Sequence, residues 1–153
     1  MMPGLSFNVK GVPGAQGSKR HVGRGIMRES SKKVAPWRSD VRDSAMTAMT
    51  DVAWATPTGS VIVDITFRFR RPRSHYRTGK NAHLLRDSAP VNPTSRAHGD
   101  IDKLVRSTLD ALVSAGVLAD DSQVVRLYAE KMWWHPGDDG MPGATIEITA
   151  GVS

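Results

Sequence analysis

HGDIDKLVRSTLDALVSAGVLADDSQVV, His98 to Val125, decides the fold. Ile101, Leu104, Val105, Thr108, Leu109, Leu112 and Ala115 recur at the three- and four-residue intervals of one helix face. Gly116 is the residue type that ends helices in the left-handed conformation. The predicted helix therefore runs Ile101–Ala115, with an apolar stripe that must pack on another element. Acid brackets it, with Asp100 and Asp102 at its start and Asp120 and Asp121 just past its end. Asp102, Arg106 and Asp110 follow one another at i, i+4 and i+8 along the border of the stripe, where Arg106 and Asp110 are expected to pair.

Working outward, Leu5–Val9, Val61–Phe69, Val124–Trp134 and Ala144–Thr149 read as strands. Pro36 opens a second helical pattern, PWRSDVRDSAMTAMTDVAWA, with Trp37, Val41, Ala45, Ala48, Met49 and Val52 turned inward. Trp37 and Trp54 read as core residues. HPGDDGMPG is a turn. The order is β-α-β-α-β-β. This predicts an α+β fold: one domain over residues 1–153, a small mixed sheet with two helices packed on it. Two basic segments rich in Gly, Ser and Pro, at about 10–35 and 70–99, read as mobile loops, and loops of that length are often functional. In the strand before the last turn, one of Trp133 and Trp134 should face the core, since neighbours in a strand point to opposite faces. The other is expected to stack on a base or, more readily, to pack at a subunit contact.

The absence of cysteine excludes disulfides and thiolate zinc sites. No apolar run approaches the ~18 residues of a membrane span, and nothing resembles a signal peptide, so no membrane association and a cytoplasmic location are expected. The net charge of +6 is unevenly spread. Residues 1–99 hold 17 Lys and Arg against 6 Asp and Glu; residues 100–153 hold 4 against 9. A basic portion fits a polyanion such as DNA, through Lys19, Arg20, Arg24, Lys32, Lys33, Arg70, Arg71, Arg73, Arg77, Lys80 and Lys103. Gly17-Ser18-Lys19 lacks the glycine spacing of a phosphate-binding loop, so the contacts are expected to be cationic side chains.

Clustered carboxylates repel unless a cation neutralises them, and Mg²⁺ takes hard oxygen ligands together with phosphate oxygens. Asp100, Asp102, Asp120 and Asp121 are therefore candidate Mg²⁺ ligands, with Mn²⁺ as a possible substitute. The helix is roughly 20 Å long. Within one subunit the two acid pairs meet only if the loop turns back along it; otherwise Asp120 and Asp121 meet a different partner. The competing reading makes each aspartate structural: a cap, a turn residue or a surface ion pair. On that reading the chain is a non-catalytic DNA-binding protein. His98 beside Asp100 and Asp102 offers a weaker transition-metal set. No nucleophile motif supports a Ser/His/Asp hydrolase.

GDIDKLVRSTLDALVSAGVLADDSQVV resembles the signature of the RusA family of Holliday-junction resolvases: D-x-D-N-x-x-K, a D-A-L run, then D-D-x-Q-V. All the spacings match. GVPGAQGSKR and ESSKKVAPW resemble phage and prophage members, so a bacterial host cytoplasm is expected. The resemblance implies a Mg²⁺-dependent endodeoxyribonuclease that acts as a homodimer and resolves four-way junctions by paired symmetric nicks. It implies catalytic roles for Asp100, Asp102 and Asp121, with Asp120 as the adjacent acid. Two positions depart from the pattern: Arg106 stands where the family has lysine, and Lys103 where it has asparagine. Arginine keeps the charge as a planar fork that does not give up a proton, so an electrostatic role carries over and an acid–base role does not.

Overall fold

The computed structural model describes residues 4–17, 19–21, 27–29 and 32–151, the two three-residue pieces by their backbone. Strands β1 (Gly4–Lys10), β2 (Lys19–His21) and β3 (Met27–Glu29) precede helix α1 (Val34–Val52). Strand β4 (Val61–Arg70), helix α2 (Ile101–Ala115), and strands β5 (Val124–Trp134) and β6 (Gly143–Ala150) follow. The main sheet has the order β1-β6-β4-β5. β6 runs antiparallel to both β1 and β4, and β5 runs parallel to β4. That parallel pair requires a crossover, and α2 supplies it. The expected β-α-β-α-β-β order holds. The addition is the β2–β3 ribbon within the expected N-terminal loop.

Alternation in β4 sets the layers. Val61, Val63, Ile65 and Phe67 are fully buried, while Asp64 is exposed between them. Their register partners Ile146 and Ile148 are buried too. One sheet face thus carries the core and both helices, and the other is polar. On the helix side, Trp37, Val41 and Ala45 of α1 meet Leu104, Thr108 and Leu112 of α2, all buried. The Trp37 indole N–H donates to Thr108 Oγ1 at 3.1 Å, so the largest core side chain leaves no polar atom unpaired.

Several local expectations are corrected. α1 starts at Val34, before Pro36, which still lies in the first turn where its missing N–H costs nothing. The helix stops at Ala53, a left-handed residue with φ 50°, and Trp54 turns back to donate its indole N–H to Val117 O. Trp54 therefore covers the core in place of Val52, which is exposed. Trp133 and Trp134 are both buried, so neither is left for a subunit contact. Trp133 is roofed by the 70–99 segment, donating to Pro90 O at 3.1 Å, and the guanidinium of Arg70 lies over Trp134. The 70–99 segment contains three 3₁₀ turns and a Tyr76–Leu85 bridge.

Candidate active site

Asp100 occupies the N-cap of α2 with extended backbone (ψ 142°), yet its carboxylate makes no capping hydrogen bond. It faces the Lys103 ammonium instead, at 3.5 Å. A capping aspartate would turn its oxygens onto the first helix N–H groups; this one leaves them outward. Asp102 and Arg106 are exposed, and neither makes a side-chain hydrogen bond or ion pair among the described residues. The expected Arg106–Asp110 pair is not formed; two solvated side chains gain too little to hold one geometry.

The approach to Asp100 is fixed by Gly99. Its φ is +82°, and a Cβ there would stand 2.5 Å from Ala15 Cβ. The chain before β2 lies along the start of α2: Gln16 N–H donates to Lys103 O at 3.1 Å, and the Ser107 hydroxyl donates to Gly14 O. Cations gather around this end. Lys131 Nζ donates to Gly99 O at 2.9 Å and Lys33 Nζ to Ala97 O at 3.0 Å. Lys32, Lys33, Arg96, Lys103 and Asp100 line a cavity of about 670 Å³. Five cations, Lys131 included, thus surround one end of α2 beside Asp100 and Asp102.

His98 closes the wall of this cavity as an aromatic. Its ring is edge-on to Phe69 (5.0 Å) and Trp133 (4.9 Å), and His75 also stands edge-on to Trp133 at 5.2 Å. Burial, then Lys33, Lys131 and His75, hold the His98 pKa below its ordinary value. Burial and then Arg71 do the same for His75.

The other acids lie at the opposite end of α2. Asp120 is the N-cap of a 3₁₀ turn, Asp121–Gln123, accepting from the hydroxyl and amide of Ser122, and these bonds pull its pKa down. Gln123 Oε1 accepts from Ala119 N–H and Asp120 N–H, and its Nε2 donates to Pro57 O and Gly59 O. In the DDSQ run, Asp120 and Gln123 thus build the turn, and the turn presents Asp121. Asp121 is exposed and makes no side-chain hydrogen bond or ion pair among the described residues. Among those residues no three His, Asp or Glu side chains lie close enough to hold a metal ion. One chain therefore presents two acid pairs and no closed cage, and His98 is brought into none.

The expected DNA-binding cations divide. Lys32, Lys33 and Lys103 line the cavity beside Asp100. Arg70, Arg71 and Arg73 line a second one. Arg71 is only 6% exposed, so it lines that cavity as a largely buried cation rather than as a solvated one. Arg77 is engaged by Leu85 O and Asp87, and Lys80 is exposed on a 3₁₀ turn. Lys19 and Arg20 lie in β2 with only their backbone described, and Arg24 lies outside the described residues. The reading of the sequence missed Lys131. Its signal was a lone cation on the helix-facing side of a strand, in register with Phe67.

The family described as endodeoxyribonuclease RusA matches residues 9–149. The chain belongs to the RusA endodeoxyribonuclease family. The match spans both basic segments, α2 and the DDSQ turn, and implies a DNA-cleaving enzyme of the Holliday-junction-resolving kind. No curated protein matches the chain significantly. RusA-type resolvases are generally metal-dependent, and the carboxylate-only donor set at the start of α2 suits a hard cation. No helix among the described residues is long and apolar enough to cross a membrane.

Proposed function

We propose that the protein is a Mg²⁺-dependent resolvase that cuts four-way DNA junctions by paired symmetric nicks, acting as a homodimer whose two copies complete each other's metal sites. The observation that carries this reading is the outward, uncapped Asp100. It sits beside Asp102 among five cations, and its family partner Asp121 is held at the far end of the same helix. Asp100 and Asp102 would hold the cation from one copy and Asp121 from the other. Held there, Mg²⁺ would supply an acidified water and a counter-charge for the phosphate. The chain's own contribution is placement: the cavity cations bind the phosphates flanking the scissile bond, and Arg106 faces the same solvent.

Strand β5 supplies the interface in this reading. It is an edge strand of eleven residues, with Val125, Leu127, Tyr128 and Met132 exposed. A long exposed edge invites pairing with another chain. Two β5 strands related by a two-fold axis run antiparallel. The start of one, just after Asp121, then lies beside the end of the other, where Lys131 touches Gly99. The same geometry that joins the copies carries Asp121 of one towards Asp100 and Asp102 of the other. The non-catalytic reading required caps, turn residues or surface ion pairs. Asp120 meets it as a cap, and Asp100 forms an ion pair with Lys103, but Asp102 and Asp121 make no side-chain bond among the described residues.

The test is cleavage of a labelled four-way junction against a linear duplex of the same sequence, with and without Mg²⁺. Symmetric nicks on the junction alone, dependent on the metal, are expected. Binding without cleavage under every divalent cation would return the chain to the non-catalytic reading.

A further inference from the structure

At the C-terminal end of β4 a second cavity of about 670 Å³ opens between Arg70, Arg71, Arg73, Tyr76, His83 and His135. Unlike the cavity beside Asp100, it has no carboxylate in its lining. Its size falls in the range of small-ligand sites. Arg71 is the informative member. It is almost wholly buried, yet among the described residues no acid pairs with it. Its Nη1 donates to Pro90 O at 2.8 Å and lies 3.3 Å from His75 Nδ1, and its guanidinium lies over Trp133 at 5.0 Å. Its Nε, also buried, has no partner. A buried cation without a counter-charge is costly to keep, and an anionic ligand offsets that cost. The lining also holds aromatic rings. Tyr76 Oη and His135 Nδ1 are 3.0 Å apart and the two rings stand at 88°, which holds the pair in place, while His83 is exposed.

Cations and a fixed aromatic pair in one cavity match the two halves of a nucleotide. We propose that this cavity binds one nucleotide turned out of the stack, its phosphate on Arg70, Arg71 and Arg73 and its base against Tyr76, His83 and His135. The proposal rests on the reading of the chain as a junction-binding protein, and the branch point, where stacking is already interrupted, is the cheapest place to extract a base. The shared ligand chemistry is a nucleoside 5′-phosphate, whether a unit of the junction or a free mononucleotide.

Two arms test it, both in EDTA so that cleavage plays no part. In the first, full-length protein is titrated with dCMP, deoxycytidine or inorganic phosphate while the histidine ring resonances are followed. His83 and His135 should shift with dCMP at concentrations where the nucleoside and phosphate are silent. Equal response to phosphate alone, or none to dCMP at millimolar concentration, overturns the proposal. In the second, a junction carries 2-aminopurine either at the branch point or within an arm. Saturating protein should raise emission at the branch point only, and the Arg73→Gln/His83→Ala double variant, both residues being exposed, should abolish the rise. Its dCMP affinity should fall about ten-fold or more, the scale of removing one stacking partner and one phosphate partner. An undiminished rise in the variant would show that the base goes elsewhere. A protein that passes both arms but leaves junctions uncut in Mg²⁺ would refute the nuclease reading and leave this pocket standing.

Discussion

Exchange of subunits between two inactive variants separates a shared site from a self-contained one. Asp102→Asn and Asp121→Asn should each abolish cleavage, because each removes a charge needed to retain Mg²⁺. Both side chains are exposed and free of hydrogen bonds among the described residues, so each variant should fold like the parent. Now let the two be mixed in equal amounts and allowed to exchange. Random pairing makes about half of the dimers mixed. If Asp121 of one copy serves Asp102 of the other, a mixed dimer concentrates both lesions in one site and leaves the second site intact. About a quarter of all sites are then wild type, set by the two-fold relation alone. If each chain builds its own site, every site in the mixture still carries a lesion and activity stays at the background of the parents. The assay is the initial nicking rate on a labelled junction in Mg²⁺, with exchange verified by mass spectrometry of differently tagged chains. The product adds a second signature. A mixed dimer with one live site nicks one strand, so it should yield nicked junctions and few resolved duplexes. Complete exchange with no recovered nicking would refute the shared site and the β5 pairing that motivates it.

In EDTA, Asp100→Asn, Asp102→Asn and Asp121→Asn should bind junctions as tightly as the parent or more tightly, since each loses a carboxylate that repels phosphate; weakened binding would argue against the site. Asp120→Ala should lower the melting temperature by unmaking the Ser122 bonds, and Asp120→Asn should restore most of it; a melting curve unchanged by alanine would remove the capping role. Thr108→Val leaves the Trp37 N–H buried and unpaired and should cost about 1–3 kcal/mol in urea unfolding; a neutral result would mean the indole finds another acceptor. His75 and His98 have depressed pKa values, so below the unfolded value of about 6.5 the unfolded chain binds more protons and stability should fall as pH drops towards the folded pKa. His75→Phe keeps a ring beside Trp133 and should make that fall shallower. Neutralising Arg73 should reduce the log–log salt dependence of duplex binding by about 0.9 for each phosphate it neutralises, and an unchanged slope would make it a solvated cation.

The fold was legible wherever burial imposes a period. α2 spans Ile101–Ala115 and β5 Val124–Trp134, as their patterns require. Legibility failed where tertiary contacts decide. Nothing in PWRSDVRDSAMTAMTDVAWA announces that Ala53 adopts a left-handed conformation and lets Trp54 replace Val52 over the core. The two tryptophans of β5 do point to opposite faces, but the 70–99 segment folds back over one and Arg70 covers the other. Alternation along a strand cannot reveal a loop that roofs it.

The acids show a deeper limit. Sequence spacing identified the four aspartates and left open whether they meet. The fold separates their roles by how many bonds each carboxylate already makes. Asp120 is spent on Ser122, and Gln123, which looks like part of a chemical signature, ties the turn to the chain before β4. Asp100 holds the backbone position of a cap and declines the bond. Asp102 and Asp121 make no side-chain bond among the described residues, and around the start of α2 Lys103 pairs with Asp100 while Lys33 and Lys131 donate to main-chain carbonyls, Ala97 O and Gly99 O. Those bonds hold ammonium groups beside the acids. Phosphate is attracted by the lysines and repelled by the aspartates, and only a cation bridging the two removes the conflict. On this reading the basic chain keeps its acids at α2 because the reaction needs a charge the polypeptide cannot itself supply.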